Sequence, residues 1–261
     1  MDYLIADQVV IPRDRAAYIS EKIIYLPNCY QVSDSKRSVS DKEFRRTEMG
    51  LPAKGVVFCC FNNSYKIHPS TFASWIRILK RVEGSVLWLL QDNPFMVENL
   101  RREALSQGIS SERLVFAGRV SHEDYLARLK VADLFLDTLP YNAGTTANDA
   151  LFVGVPVLTV QGRSFVGRMA SSLLQALGLD ELIVQSYAAY EDKAVALAQD
   201  PIKLSEIKTK LAKAHQSTPL FDTISTTKHI EVAYEKVVQR SQASLPPETI
   251  YIDDVKGDFA S

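Results

Sequence analysis

The chain has 261 residues, 46% of them hydrophobic and 23% charged, which suits a globular protein with one sizeable core or two small ones. A formal net charge of -1 provides no basic face to release counterions, so general nucleic-acid binding is not expected. No apolar run is long enough to span a bilayer and MDYLIADQ lacks the basic and apolar regions of a signal peptide, so no membrane association and a cytoplasmic setting are expected.

Residues 1–30 contain two short strand-like runs, DYLIAD and EKIIYLP, joined by PRDRAAYIS. Two strands form no independent core, so they either join the edge of the main sheet or belong to a sheet whose other strands lie outside this chain. In the second case Leu4, Ile5, Ile23 and Ile24 are expected to be exposed. Residues 31–50 are polar and charged and read as a linker. The expected division is a remnant plus linker over 1–45, a main lobe over 46–240 and a mobile polar tail over 241–261.

From Leu51 strands and helices alternate. VVFCCFN (56–62), SVLWLLQ (85–91), LVFAG (114–118), LFLDT (134–138) and the apolar run ending at Val160 are read as strands. Helical spacing falls at 69–82, near 94–107, at 121–132, after Gly144 and from Ser164 to Leu177, and a short apolar run, LIV, follows at 182–184. Three amphipathic helices close the lobe, the last ending near Arg240. Strands apolar on both faces, with helices between them, predict an α/β fold with a doubly wound parallel sheet. Its ligand is expected outside the carboxyl ends of the strands.

Three loops meet at that edge. After the first strand of this lobe, Asn62-Asn63-Ser64-Tyr65-Lys66 ends in a lysine that offers a point charge to a phosphate. After the third come Val120, Ser121 and His122, with Tyr125 and Arg128 on the first helical turns; Tyr125 gives a flat face for a base and His122 a partner for ribose. After the fourth, Gly144, Thr145 and Thr146 enter a helix whose free N–H groups form an anion site, and Asp149 stands one turn on, on the same face. A glycine at 144 allows close backbone approach and a positive φ. Taken singly, Lys66 is a surface lysine, Tyr125 a core aromatic, His122 a helix-entry residue, Thr145 an N-cap and Asp149 a solvated first-turn acid. Together at the strand tips they point to a nucleotide. VVFCCFNNSYK has no Gly-x-Gly-x-x-Gly, which argues against a dinucleotide oxidoreductase. Cys29, Cys59 and Cys60 read as reduced buried thiols, and the four histidines lack metal-ligand spacing, so no metal site and no cofactor are expected.

The segments FNNSYKIHPST, VSHEDYLAR, LFLDTLPYNAGTTANDALFVGVPVLT, GRSFVGRMASSLLQALGL and STPLFDT closely resemble the carboxyl-terminal half of the protein O-linked N-acetylglucosamine transferases, glycosyltransferase family 41. The resemblance runs from residue 1 to about Arg240. It implies a two-lobed GT-B fold of which this chain supplies the Rossmann-like, UDP-binding lobe with C-terminal helices. By the same resemblance Lys66 contacts the donor diphosphate as the catalytic group, with Asn63 beside it; Val120, Ser121 and His122, and Tyr125, Leu126, Ala127 and Arg128, hold uracil and ribose; Gly144, Thr145 and Thr146 form the phosphate loop, and Asp149 is the ribose-side acid. Animal members have Gln at the place of Asn63, Lys at His122, and His at both Tyr125 and Gly144. Asn63 is therefore one methylene shorter, and Gly144 keeps only its backbone N–H for a contact.

The implied reaction is an inverting transfer of N-acetylglucosamine from UDP to a protein Ser or Thr hydroxyl. The chain contains no Asp-x-Asp, so the resemblance implies a metal-independent donor site, with Lys66 and a helix amino end in place of the cation. The implied partners are the UDP-sugar donor, an acceptor protein, an amino-terminal catalytic lobe and TPR repeats. Alternatives are a related bacterial transferase with another sugar or an Asn acceptor, and a UDP-binding fragment without turnover.

Overall fold

The computed structural model describes residues 1–254. Its main sheet is built from Val57–Cys60 (β3), Val86–Leu90 (β4), Leu114–Ala117 (β5), Leu134–Leu136 (β6), Val157–Val160 (β7) and Ile183–Val184 (β8), following Tyr3–Ala6 (β1) and Lys22–Tyr25 (β2) in the chain. All six strands are parallel, in the order β5-β4-β3-β6-β7-β8. Every residue of β3, β4, β6 and β7 is buried, which is why these segments are apolar throughout rather than alternating.

The connecting helices are Pro69–Arg81 (α1), Pro94–Ser106 (α2), His122–Leu129 (α3), Thr145–Phe152 (α4) and Met169–Ala176 (α5), followed by Tyr187–Gln199 (α6), Pro201–Ser217 (α7) and Thr223–Gln242 (α8). Their starts follow side-chain chemistry: Asn93 and Ser121 accept the N–H groups of Met96 and Asp124, and Pro69 and Pro94 occupy first-turn positions where no N–H is needed. α5 begins five residues later than the apolar spacing from Ser164 suggests, because Phe165–Gly167 forms a 3-10 turn that precedes the helix.

β3 is bonded to β4 on one side, with Val57 opposite Val86, and to β6 on the other, with Phe58 opposite Leu134. Right-handed crossovers from β3 to β4 and from β6 to β7 therefore run in opposite directions and place α1 and α4 on opposite faces. α1 packs against α6 and β4, and α4 against α3, α5 and β7. The loops that leave β3 and β6 diverge, opening a crevice at the point where strand order reverses.

β1 and β2 do not join this sheet. They form a separate parallel sheet of order β1-β2-β9, in which Ile250–Tyr251 (β9) lies beside β2 with Ile24 opposite Ile250. The third strand thus comes from the chain's own carboxyl end. Residues 241–254 do not form a mobile polar tail: Ile250 and Ile252 pack with Ile24, Leu26 and Ala233, and the drive is burial of apolar surface. Residues 255–261 of the expected tail lie outside the described residues. Ile23 and Ile24, expected to be exposed if their sheet were completed from outside this chain, are buried, Ile23 among Ala6, Val10 and Ile11 and Ile24 under β9 and α8. The supposed linker also packs on the main lobe: Arg46 reaches Asp133 at 2.8 Å and donates to the carbonyls of Val131 and Gly55.

Candidate functional site

The crevice at the switch point is a cavity of about 400 Å³. Each wall is one of the three loops.

The loop after β3 turns sharply into a 3-10 turn, Ser64–Lys66, held by the Ser64 N–H donating to Asp92 at 2.7 Å. Buried Asn62 ties it to the next wall: its amide donates to Thr138 Oγ1 at 2.8 Å and its oxygen accepts from Thr146 Oγ1 at 2.5 Å. Lys66 lines the cavity, donating to the Asn142 carbonyl at 3.0 Å, with its ammonium 3.8 Å from the centre of the Tyr141 ring. It has no carboxylate partner among the described residues. Burial lowers its pKa, an effect opposed by the negative charge of Asp137.

The wall after β5 carries Arg119, Val120, His122, Tyr125 and Arg128. Tyr125 packs edge-on to Phe61, the ring centres 5.7 Å apart, and its buried hydroxyl has no hydrogen-bond partner among the described residues. Arg128 is only 5% exposed, its guanidinium sits 5.5 Å from the Phe61 ring centre, and no carboxylate pairs with it among the described residues. Among the described residues its buried Nε has no partner, and burial depresses its pKa. An unpaired buried cation is costly, and a ligand that supplied acceptors would offset that cost.

The third wall is shaped by Asp137. Fully buried at the tip of β6, it accepts from the N–H groups of Thr138 and Ala143 and from Thr159 Oγ1, each at 2.7 Å. Burial, only partly offset by these donors and by Lys66, raises its pKa to about 7. The loop it folds delivers Gly144, Thr145 and Thr146 to the cavity. α4 begins at Gly144 with no side-chain cap, and no acceptor is found for the Thr145 and Thr146 N–H groups among the described residues, so the helix presents bare donors and its positive dipole end to the cavity. Gly144 has φ -103°, not the positive φ expected of it. An added Cβ would meet closely only the flexible tip of Met169, so neither backbone nor rigid packing demands glycine here.

Nine of the residues picked from the sequence thus share one cavity: Asn63, Lys66, Val120, His122, Tyr125, Arg128, Gly144, Thr145 and Thr146. Four stand outside its lining. Ser121 caps α3, and Leu126 and Ala127 turn to the core, since helical spacing sets 125 and 128 on the cavity side and 126 and 127 away from it. Asp149 lies behind the wall, its side chain 4% exposed, paired with Arg37 at 2.6 Å and 3.7 Å from His122 Nε2. Burial raises its pKa, opposed by Arg37 and His122. Sequence reading missed Phe61, Asn62, Tyr65, Leu90 and Arg119 as lining residues. Arg119 bridges two walls by donating to Asn63 Oδ1 at 3.1 Å, and its place at a strand tip beside Val120 was the available signal.

Among the described residues no group of three or more His, Cys, Asp or Glu side chains is placed to hold a metal ion, and no helix is long and apolar enough to cross a membrane. The three cysteines are free and buried.

Comparison with known proteins places these features in context. The sequence profile described as Glycosyl transferase family 41 matches residues 43–230. The chain is 37% identical over 243 residues to a protein of Arabidopsis thaliana named probable UDP-N-acetylglucosamine--peptide N-acetylglucosaminyltransferase SEC, covering 91% of this chain and 25% of that protein. It is 35% identical over 205 residues to the UDP-N-acetylglucosamine--peptide N-acetylglucosaminyltransferase of Caenorhabditis elegans, covering 78% of this chain and 18% of that one. A solved O-GlcNAc transferase mutant of Thermobaculum terrenum superposes with TM-score 0.81 at 29% identity, over 94% of this chain and 46% of that structure. The chain spans a quarter or less of the length of these two curated relatives.

Proposed function

As the chain belongs to glycosyltransferase family 41, we propose that its cavity binds the UDP part of UDP-N-acetylglucosamine and that the chain is the donor-binding lobe of an enzyme that transfers the sugar to Ser or Thr hydroxyls of proteins. The observation that carries the reading is the pair of cations, half-buried Lys66 and buried Arg128, which face one cavity beside an uncapped helix end and have no carboxylate partner among the described residues. A diphosphate supplies the charge for Lys66 and for the N–H groups of Thr145 and Thr146; the carbonyls of uracil supply acceptors for Arg128, with the base against Tyr125.

In the reaction the acceptor oxygen bonds to the anomeric carbon as the bond from that carbon to the diphosphate breaks. The hydroxyl proton passes to a base that we assign to no residue of this cavity, and the electron pair leaves with UDP. Negative charge grows on the diphosphate, where Lys66 as the catalytic group and the amino end of α4 stabilise it more strongly in the transition state than in the ground state. These donors take the part that a divalent cation plays in other sugar-nucleotide sites, so the proposed mechanism is metal-independent. The acceptor side, an amino-terminal lobe and TPR repeats that present the protein substrate complete the proposed enzyme. A cytoplasmic setting suits three free cysteines.

Calorimetry with UDP, with and without EDTA, tests the reading. The expected result is equal binding in both. Binding abolished by chelation overturns the metal-independent mechanism, and no binding in either condition overturns the assignment of the cavity.

A further inference from the structure

The segment between the two sheets crosses the outside of the cavity's ribose-side wall. Arg37 is its anchor. The guanidinium donates through Nη1 to Asp149 Oδ1 at 2.6 Å, through Nη2 to Asn148 Oδ1 at 2.7 Å and through Nε to its own segment at the Asp34 carbonyl at 3.0 Å, and it stacks 4.0 Å from the centre of the Phe152 ring. Three of its five N–H groups are thus used on one helix, α4, and on the turn that carries it. Asn148 is held from the other side as well, donating to Ser33 Oγ, and Ser33 O accepts from Thr223 Oγ1 at 3.0 Å at the start of α8. Further along, the Ser40 N–H donates to the Glu123 carbonyl of α3 at 3.2 Å. The segment therefore ties together α3, α4 and α8. A passive linker has no need of this.

Asp149 is the centre of the arrangement. Its side chain is 4% exposed and that of Arg37 12%, so the pair is a desolvated one in which position is fixed by geometry rather than averaged by water. Both contacts fall on one oxygen: the Arg37 guanidinium at 2.6 Å and, from α3, the His122 imidazole Nε2 at 3.7 Å. The second oxygen, Oδ2, has no hydrogen-bond partner among the described residues, although the residue stands one turn behind Thr145 and directly behind cavity-lining His122.

We propose that Arg37 is a positioning residue for nucleotide binding: it clamps Asp149 through Oδ1 and so leaves Oδ2 oriented to accept a hydrogen bond from a ribose hydroxyl. The inference rests on the nucleotide reading of the cavity and adds to it a residue from outside the cavity, 112 positions away in sequence. Arg37 touches neither the cavity nor the reacting atoms; it acts through Asp149. Lysine at this place keeps the charge but not the two-armed grip on Asp149 and Asn148, so it is expected to replace arginine only in part.

The test compares UDP with 2′,3′-dideoxyuridine diphosphate, which lacks both ribose hydroxyls, in the parent chain and in Arg37→Met, Arg37→Lys, Asp149→Asn and the double variant Arg37→Met with Asp149→Asn. The parent should prefer UDP. Arg37→Met should lose about ten-fold or more of its UDP affinity, the size of one lost charge-assisted hydrogen bond, and little of its dideoxy affinity, so that the preference collapses. Arg37→Lys should recover part of it, and the double variant should show the same preference as Asp149→Asn alone, because Arg37 acts only through that carboxylate. If Arg37→Met leaves Asp149 an unpaired buried charge and fails to fold, the double variant removes that charge and the comparison with Asp149→Asn still decides. An unchanged preference in Arg37→Met, an equal loss for both nucleotides without rescue by lysine, or a lower preference in the double variant than in Asp149→Asn overturns the inference. A parent chain that binds neither nucleotide overturns the nucleotide reading itself, and this inference with it.

Discussion

Lys66 Nζ donates to the Asn142 carbonyl at 3.0 Å, so the lysine from the first loop is held by the loop that delivers the amino end of α4. Lys66 and the amino end of α4 are therefore positioned as one unit, and the loop that joins them is folded by Asp137.

Lys66→Ala is expected to weaken UDP by about ten-fold or more and uridine by less than about three-fold, since a hydrogen bond to a charged group contributes about 1.5–3 kcal/mol and only UDP carries the charge. Calorimetry with both ligands checks it. Equal losses would move the lysine away from the phosphates.

Asp137 links this geometry to pH. Its folded pKa, about 7, lies above the ordinary carboxylate value because burial penalises the charged form. The folded state then holds more protons than the unfolded state between about pH 4 and 7, so stability contributed by the protonated group is present at low pH and is lost as pH rises through 7. Asp137→Asn can keep all three hydrogen bonds if the Thr159 hydroxyl turns to accept, and it removes the slope. The variant should be more stable than the parent at pH 8, on the order of 1–4 kcal/mol, with the gap closing at pH 5. Thermal unfolding at the two pH values measures this, and a gap that widens on acidification contradicts it.

Gly144→Ala should be mild. With φ at -103° there is no left-handed strain to relieve, and the only close obstacle is the flexible tip of Met169. A cost below about 1 kcal/mol in stability and a change below about three-fold in UDP affinity are expected. Gly144→His is expected to lose more, because Met169, Gln31 Oε1 and Tyr30 Oη surround the space, and adding Met169→Ala should recover the loss. Failure of that recovery would show that the loop follows a different course when ligand is bound.

The sheet was legible because its strands carry their signal locally: β3, β4, β6 and β7 are unbroken apolar runs, and Pro69 and Pro94 mark the helix starts. The cavity was legible for a related reason, since topology brings the tips of β3, β5 and β6 to one edge whatever the side chains do. What escaped depends on distant partners. β9 is two residues long in a polar stretch and is a strand only because Ile250 finds Ile24. Arg37 lies in a polar run, and its role becomes visible only when Asp149 is brought beside it. Leu126 and Ala127 show the converse, where a contiguous matching segment passes through a helix that turns half its residues to the core.

The central claim is that one cavity receives a uridine diphosphate through Lys66, Arg128 and the amino end of α4. A crystal structure of the chain with UDP tests it most directly. Diphosphate oxygens are expected within hydrogen-bond distance of Lys66 Nζ and the Thr145 and Thr146 N–H groups, with uracil against Tyr125 and its carbonyl on Arg128. UDP bound elsewhere, or bound here with the diphosphate turned away from Lys66 and α4, would contradict it.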